Sequence, residues 1–216
     1  MRYINGLRPL LIRRKFQVFA VGAAKTGTTS IAHMMGPHIR SAHEPEVVNT
    51  TRLVIDFLEK KISTREIRQL LRSRDRRLHL ELEASHPLGY LVPELVKVFP
   101  QAKFIITLRE PLAWLRSRLN FHHYRTPSVW QTYRDYIWQR HFNGFAKQER
   151  GLEKLGLYSV AAYLRQYEEQ YRILLNHLSD DQYVLIKTDQ INTYLGQIAD
   201  FLGVHSAGLQ PTWSNR

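Results

Sequence analysis

The chain has 216 residues, with 31 Lys and Arg against 19 Asp and Glu for a formal charge of +12, and it contains no cysteine. That length suits one sizeable core; 44% hydrophobic and 11% aromatic residues exclude an unfolded chain, and the missing thiols exclude a disulfide framework and Cys–zinc chemistry. The positive field attracts anions, which leaves nucleotides, anionic glycans, lipid head groups and nucleic acids as partners.

The opening segment, MRYINGLRPLLIRRKF, is too short and too broken by arginine for a secretory apolar region or a membrane span. The chain is therefore expected to be soluble and cytoplasmic, with residues 1–216 forming one domain. Arg13, Arg14 and Lys15 read as a solvated edge, and peripheral contact with an anionic surface is the lesser reading. Phe16, Val18, Phe19, Ala20 and Val21 have the mix of a parallel strand covered on both faces. Gly22 ends that strand, and Thr28, Thr29 and Ser30 open a helix whose first N–H groups can face an anion.

Residues 38–42 (HIRSA) read as a second short strand after Gly36 and Pro37, ending at His43-Glu44-Pro45. Two helical stretches follow between Glu46 and Arg74, so a helical insertion is expected over about residues 46–76. Its arginines, among them Arg65, Arg68, Arg72, Arg74 and Arg76, lack interleaved aromatics and read as a solvated face, with no specific nucleic-acid partner. RLHLELEAS, residues 77–85, alternates at period two and reads as a strand; a helix near Pro93–Phe99 and a buried strand at KFIITLR, residues 103–109, come next. Pro111 starts a helix with Leu112, Leu115 and Leu119 on one side, and Arg116 and Ser117 on others. The aromatic stretch Ser128–Asn143 reads as core or as the wall of an acceptor pocket. A long helix over Ser159–Leu178, a strand at residues 182–188 and a helix from Tyr194 to Leu202 stopped by Gly203 complete the pattern. Strands alternating with helices predict an α/β fold of three layers, P-loop-like, with a mostly parallel central sheet flanked by helices.

Gly22 and Gly27 stand at the Walker A spacing, yet Thr28 occupies the place of the Walker lysine, which appears earlier as Lys25. A kinase needs its lysine on the β- and γ-phosphates together with Mg²⁺. One ammonium with hydroxyls and N–H groups suits a donor with a single 5′-phosphate and a singly charged transferred group. The segment Gly22-Ala23-Ala24-Lys25-Thr26-Gly27-Thr28-Thr29-Ser30 resembles the 5′-phosphosulfate loop of the sulfotransferases. A second segment, KFIITLREPLAWLRSRLNFH, resembles the part of that family that grips the 3′-phosphate with an arginine and a serine, here Arg109 and Ser117. The resemblance runs from about Phe16 to Val204 and is weak between Glu46 and Arg76.

The resemblance implies 3′-phosphoadenosine 5′-phosphosulfate (PAPS) as donor, adenosine 3′,5′-bisphosphate (PAP) as product, no metal, and a hydroxyl-bearing saccharide or small molecule as acceptor. Donor contacts then fall on Gly22, Ala24, Lys25, Thr26, Gly27, Thr28, Thr29, Ser30, Arg109 and Ser117, with Lys25 also catalytic. The closing Arg-Lys-Gly segment of cytosolic members is absent from PTWSNR, so a third 3′-phosphate contact is unassigned. A base must take the acceptor proton. Glu44 stands about where glycan-modifying branches carry a glutamate, and His86 follows Ala84-Ser85 as histidine follows Lys-Thr in small-molecule sulfotransferases. The Glu81, Glu83, Ser85 and Tyr90 pattern resembles bacterial and glycan enzymes and tips the choice toward Glu44. A P-loop kinase and an inactive nucleotide-binding module on the same fold are the alternatives.

Overall fold

The computed structural model describes residues 13–35, 39–124 and 128–211. The opening segment up to Ile12, Gly36, Pro37 and His38, residues 125–127, and the ending from Thr212 onward lie outside the described residues.

Strands β1 (Val18–Gly22), β2 (Ser41–His43), β3 (Leu82–Ala84), β4 (Lys103–Leu108) and β5 (Tyr183–Lys187) form one sheet in the order β2–β3–β1–β4–β5. Every pairing is parallel. Alternate residues of the central strands feed two separate cores, which gives three layers. Phe19, Val21, Phe104 and Ile106 face one side and Val18, Ala20 and Ile105 the other. Helices α1 (Thr28–Met34) and α9 (Leu195–Leu202) cover the second side. The first is covered by α2 (Val47–Leu58), α3 (Thr64–Leu78), α4 (Val92–Val98), α5 (Pro111–Tyr124), α6 (Gln131–Gln139) and α8 (Val160–His177). Short α7 (Arg150–Lys154) lies between α6 and α8 in the chain. The chain leaves β1 toward β2 and leaves β4 toward the opposite edge, so the sheet's switch point lies between β1 and β4. Open α/β sheets bind ligands there, beyond the strands' carboxyl ends.

Several elements differ from the sequence reading for identifiable reasons. Strand β3 is only three residues long because α3 continues to Leu78. Glu81 and Glu83, the polar members of the period-two alternation, are both buried. Glu83 is hydrogen bonded by both Nη atoms of Arg74, and Glu81 accepts from the backbone N–H groups of Lys15 and Arg40 at 3.2 and 3.0 Å. Arg74 is thus buried, while Arg65, Arg72, Arg76 and Arg77 are exposed as a solvated face requires. Arg14 is also no free edge charge, since it donates to both carboxylate oxygens of Asp75 at 2.6 and 2.8 Å. In α5 the inward face is Trp114, Leu115, Arg118 and His122, and Leu112 is 70% exposed. Helix α8 starts where Ser159 caps it by accepting from the Ala162 N–H at 3.3 Å, and Gly203 ends α9 in the left-handed region.

Candidate active site

The loop between β1 and α1 is gripped residue by residue. The Ala23 N–H donates to Tyr171 Oη at 3.4 Å, and Trp114 Nε1 donates to the Ala24 carbonyl at 2.8 Å. Arg109 Nη1 donates to the Lys25 carbonyl at 3.4 Å, and the Thr188 hydroxyl donates to the Thr26 carbonyl. The Thr26 side chain turns away from the loop's mouth, donating to the Ala23 carbonyl at 2.6 Å and pairing with Thr107 Oγ1 at 2.7 Å. Gly22 sits so close to β4 that a Cβ would fall 2.5 Å from the Thr107 carbonyl oxygen, at a φ of 146° that disfavours a side chain.

Helix α8 locks three strand ends together through a stripe of buried polar side chains. Gln170 donates to the carbonyls of Gly22 and His86 at 2.8 and 2.9 Å, and Tyr171 to that of Thr107 at 2.6 Å. Tyr167 donates to the Arg109 carbonyl at 2.5 Å, which fixes the backbone from which that guanidinium springs. Buried carbonyls without donors are costly, so these bonds hold the loops as well as satisfy them.

A cavity of about 350 Å³ opens at the ends of β1 and β4. Ala24, Lys25, Gly27, Thr28, Thr29, Arg109, Ser117 and Thr188 are among its lining residues. Glu44 and His86 line it as well, whereas Gly22, Thr26 and Ser30 are not among its walls. Four described non-glycine residues have positive φ: Lys25, Glu44, Lys60 and His79. Lys60 and His79 follow the ends of α2 and α3, where such backbone is common. Lys25 and Glu44 have no such reason, and backbone strain held by surrounding structure gathers at functional sites.

Glu44 and His86, rival candidates in the sequence, are partners in space. His86 Nδ1 lies 2.6 Å from Glu44 Oε1, and the ring is held by Trp130 and Tyr133, with centroids at 4.9 and 5.7 Å. Its Nε2 is buried without a hydrogen-bond partner. Burial pushes the His86 imidazole below its ordinary value and Arg118 adds to this, against the pull of Glu44. Burial also pushes the Glu44 carboxyl up, but His86, His43 and Arg118 outweigh it and hold it below the usual carboxylate range. A neutral His86 donating from Nδ1 to an ionised Glu44 satisfies both tendencies.

The family model described as a sulfotransferase domain matches residues 17–206 of this chain. The chain belongs to the sulfotransferase domain family. Among solved structures, a sulfotransferase from Alicyclobacillus acidocaldarius matches with a TM-score of 0.51 at 18% identity, covering 95% of this chain and 87% of that one. The sulfotransferase domain of the Curacin biosynthetic pathway matches at 0.50 and 13% identity, covering 93% and 78% respectively. At these identities the likeness speaks for the fold. No curated protein matches the chain. Among the described residues of this sulfotransferase, no helix is long and apolar enough to cross a membrane.

The sulfotransferase cavity also contains residues that sequence reasoning passed over. His43 Nε2 lies 3.0 Å from Thr29 Oγ1 and 3.4 Å from Thr28 Oγ1, so it orients the loop hydroxyls. Its position at the end of the second predicted strand, next to Glu44, was the available signal. Phe121 stands under Lys25, with Nζ 5.1 Å from the ring centroid. Arg118, His122, Tyr133 and Arg134 complete the far wall. Tyr133 and Arg134 lie in the aromatic stretch read as core or pocket wall, whereas no motif marked Arg118 and His122, which α5 brings to this wall only when packed.

Proposed function

We propose that this sulfotransferase moves a sulfuryl group from PAPS to the hydroxyl of a saccharide or other small molecule and releases PAP. The observation that carries the reading is one cavity at the sheet's switch point that brings Lys25 and Arg109 together with the Glu44–His86 pair. The donor end fits a bisphosphate nucleotide: two cations, the Thr28 and Thr29 hydroxyls, Ser117, and a loop already fixed by four neighbouring elements. When bound, the donor supplies an electrophilic sulfuryl group on a phosphate leaving group. Lys25, held in a left-handed backbone, is the cation for the oxygen that becomes negative. Arg109 and Ser117 hold the 3′-phosphate, as the guanidinium fork suits.

The proton of the acceptor hydroxyl goes to His86 Nε2. Glu44 accepts the Nδ1–H, fixes that tautomer and stabilises the imidazolium that forms. The sequence preference for Glu44 as base thus becomes a division of labour in which Glu44 positions and His86 takes the proton. The test is thermal: PAP should raise Tm several degrees more than ATP with Mg²⁺ at equal concentration, and labelled sulfur should pass from PAPS to an acceptor. A larger rise with ATP and Mg²⁺ would remove the donor reading.

A further inference from the structure

The far wall of the cavity carries charge that the proposed transfer does not use. Arg118, on α5, is 5% exposed and lines the cavity. Its Nε has no hydrogen-bond partner, and its guanidinium stacks over Phe121 and Trp138 with Cζ 5.4 and 4.6 Å from the ring centroids. No described carboxylate forms an ion pair with it; Glu44, whose field it feels, is engaged by His86. Arg134, on α6, is 8% exposed, donates from Nη2 to the Gly156 carbonyl at 2.6 Å and keeps an unpartnered Nε. The buried hydroxyl of Tyr133 beside it also lacks a partner.

An unpaired buried guanidinium is costly and stays charged: burial lowers Arg118 only to about 10. With Lys25 and Arg109 taken by the donor, the described lining retains two cations, Arg118 and Arg134, and one carboxylate, Glu44, already engaged by His86. Such a wall repels cationic acceptors and offers neutral hydroxyls weaker hydrogen bonds with no compensating charge, whereas an oxyanion would accept charge-assisted bonds from it. Cation–π stacking keeps the guanidinium plane in place while leaving its edge available.

We propose that the acceptor is itself an acid, a hydroxyl compound whose carboxylate, phosphate or sulfate group seats against Arg118, with Arg134 and Tyr133 beside it. This rests on the reading of the cavity as a sulfuryl-transfer site and adds the substrate class. The anion would anchor the acceptor on α5 and α6 and present its hydroxyl to His86, which shares this wall and packs against Tyr133.

The test titrates matched probes into the PAP-saturated protein: glucuronate and glucose 6-phosphate against glucose, and 4-hydroxybenzoate against 4-hydroxybenzamide. At least one anionic probe should bind tenfold or more tightly than its neutral counterpart. Arg118→Met should bring the pair within twofold while PAP affinity stays within twofold of wild type. If Arg118→Met does not fold, Arg118→Lys keeps the charge, loses the planar fork and should cut the preference several-fold. Equal binding of charged and neutral members by the wild type, or a preference untouched in the variants, overturns the inference. A matching loss of PAP affinity assigns Arg118 to the donor and overturns it too. Wild-type protein that does not bind PAP overturns the donor reading itself, which the other outcomes leave standing.

Discussion

The two ends of the cavity are built on opposite plans. At the phosphate loop, backbone groups of Ala23, Ala24, Lys25 and Thr26 each meet a partner from a different part of the chain, and α8 ties Gly22, His86, Thr107 and Arg109 together. At the α5–α6 wall, Arg118 Nε, Tyr133 Oη and Arg134 Nε, with His86 Nε2 beside them, are buried without a hydrogen-bond partner among the described residues. A satisfied network is rigid and stable in itself; an unsatisfied one stores a cost that a ligand can remove. The β1–α1 loop is therefore preorganised by protein–protein bonds, whereas the α5–α6 wall leaves buried polar atoms unmatched.

The largest effect separating the two ends should come from His86. His86→Asn can still donate to Glu44 but has no ring nitrogen to accept a proton, so turnover should fall by roughly 10² to 10⁴ with PAP affinity retained. Because burial lowers His86, wild-type turnover should stay level as pH falls through the ordinary histidine value near 6.5 and be lost only below it, where Nε2 takes up a proton. Steady-state rates across pH check this, and near-wild-type turnover in His86→Asn would return the base to Glu44.

Next in size, Lys25→Ala should cost about 10² to 10³ in turnover, an electrostatic contribution made mainly as the leaving oxygen becomes negative. PAP affinity should change far less. Equal losses in affinity and turnover, measured by calorimetry and single-turnover rates, would make Lys25 a binding residue only.

Arg109→Ala bears on the donor end alone. If it grips the 3′-phosphate, the preference for PAP over adenosine 5′-monophosphate should fall by about 10- to 100-fold, the weight of a charge-assisted bond. A variant that keeps the wild-type preference places that phosphate elsewhere.

The smallest effects test the contrast in stability. Gln170→Leu orphans the carbonyls of Gly22 and His86 and should cost about 2–3 kcal/mol. In a chain of this size that is a Tm fall of roughly 4–12 °C. Tyr133→Phe removes a hydroxyl that has no partner, so Tm of the ligand-free protein should stay the same or rise. Calorimetry on both variants decides, and comparable losses would mean that the two ends are built alike.

The two segments proposed to hold the donor were legible as strand–loop–helix patterns because each is local. Gly22 to Ser30 form one continuous strand–loop–helix start, and Arg109 and Ser117 lie on one strand–helix junction, so spacing along the chain carries the pattern. The buried strands were legible from their apolar runs, but β3 was drawn too long, since two buried carboxylates mimic a solvent-facing alternation. Helix α5 misled for the converse reason: its inner face mixes Trp114 and Leu115 with Arg118 and His122, which no apolar periodicity predicts.

The sequence by itself determined the layered α/β fold and the strand–loop–helix settings of Gly22–Ser30 and Arg109–Ser117, because each is written in contiguous residues with a local physical preference. Tertiary structure decided that Glu44 and His86 are one pair, that α8 clamps the strand ends, and that Arg118 and Arg134 share a wall. A hydrogen bond across 42 positions, or a charge whose meaning depends on the absence of a partner, leaves no periodic mark in the chain. It comes into being only when packing removes water and fixes which groups are left facing one another.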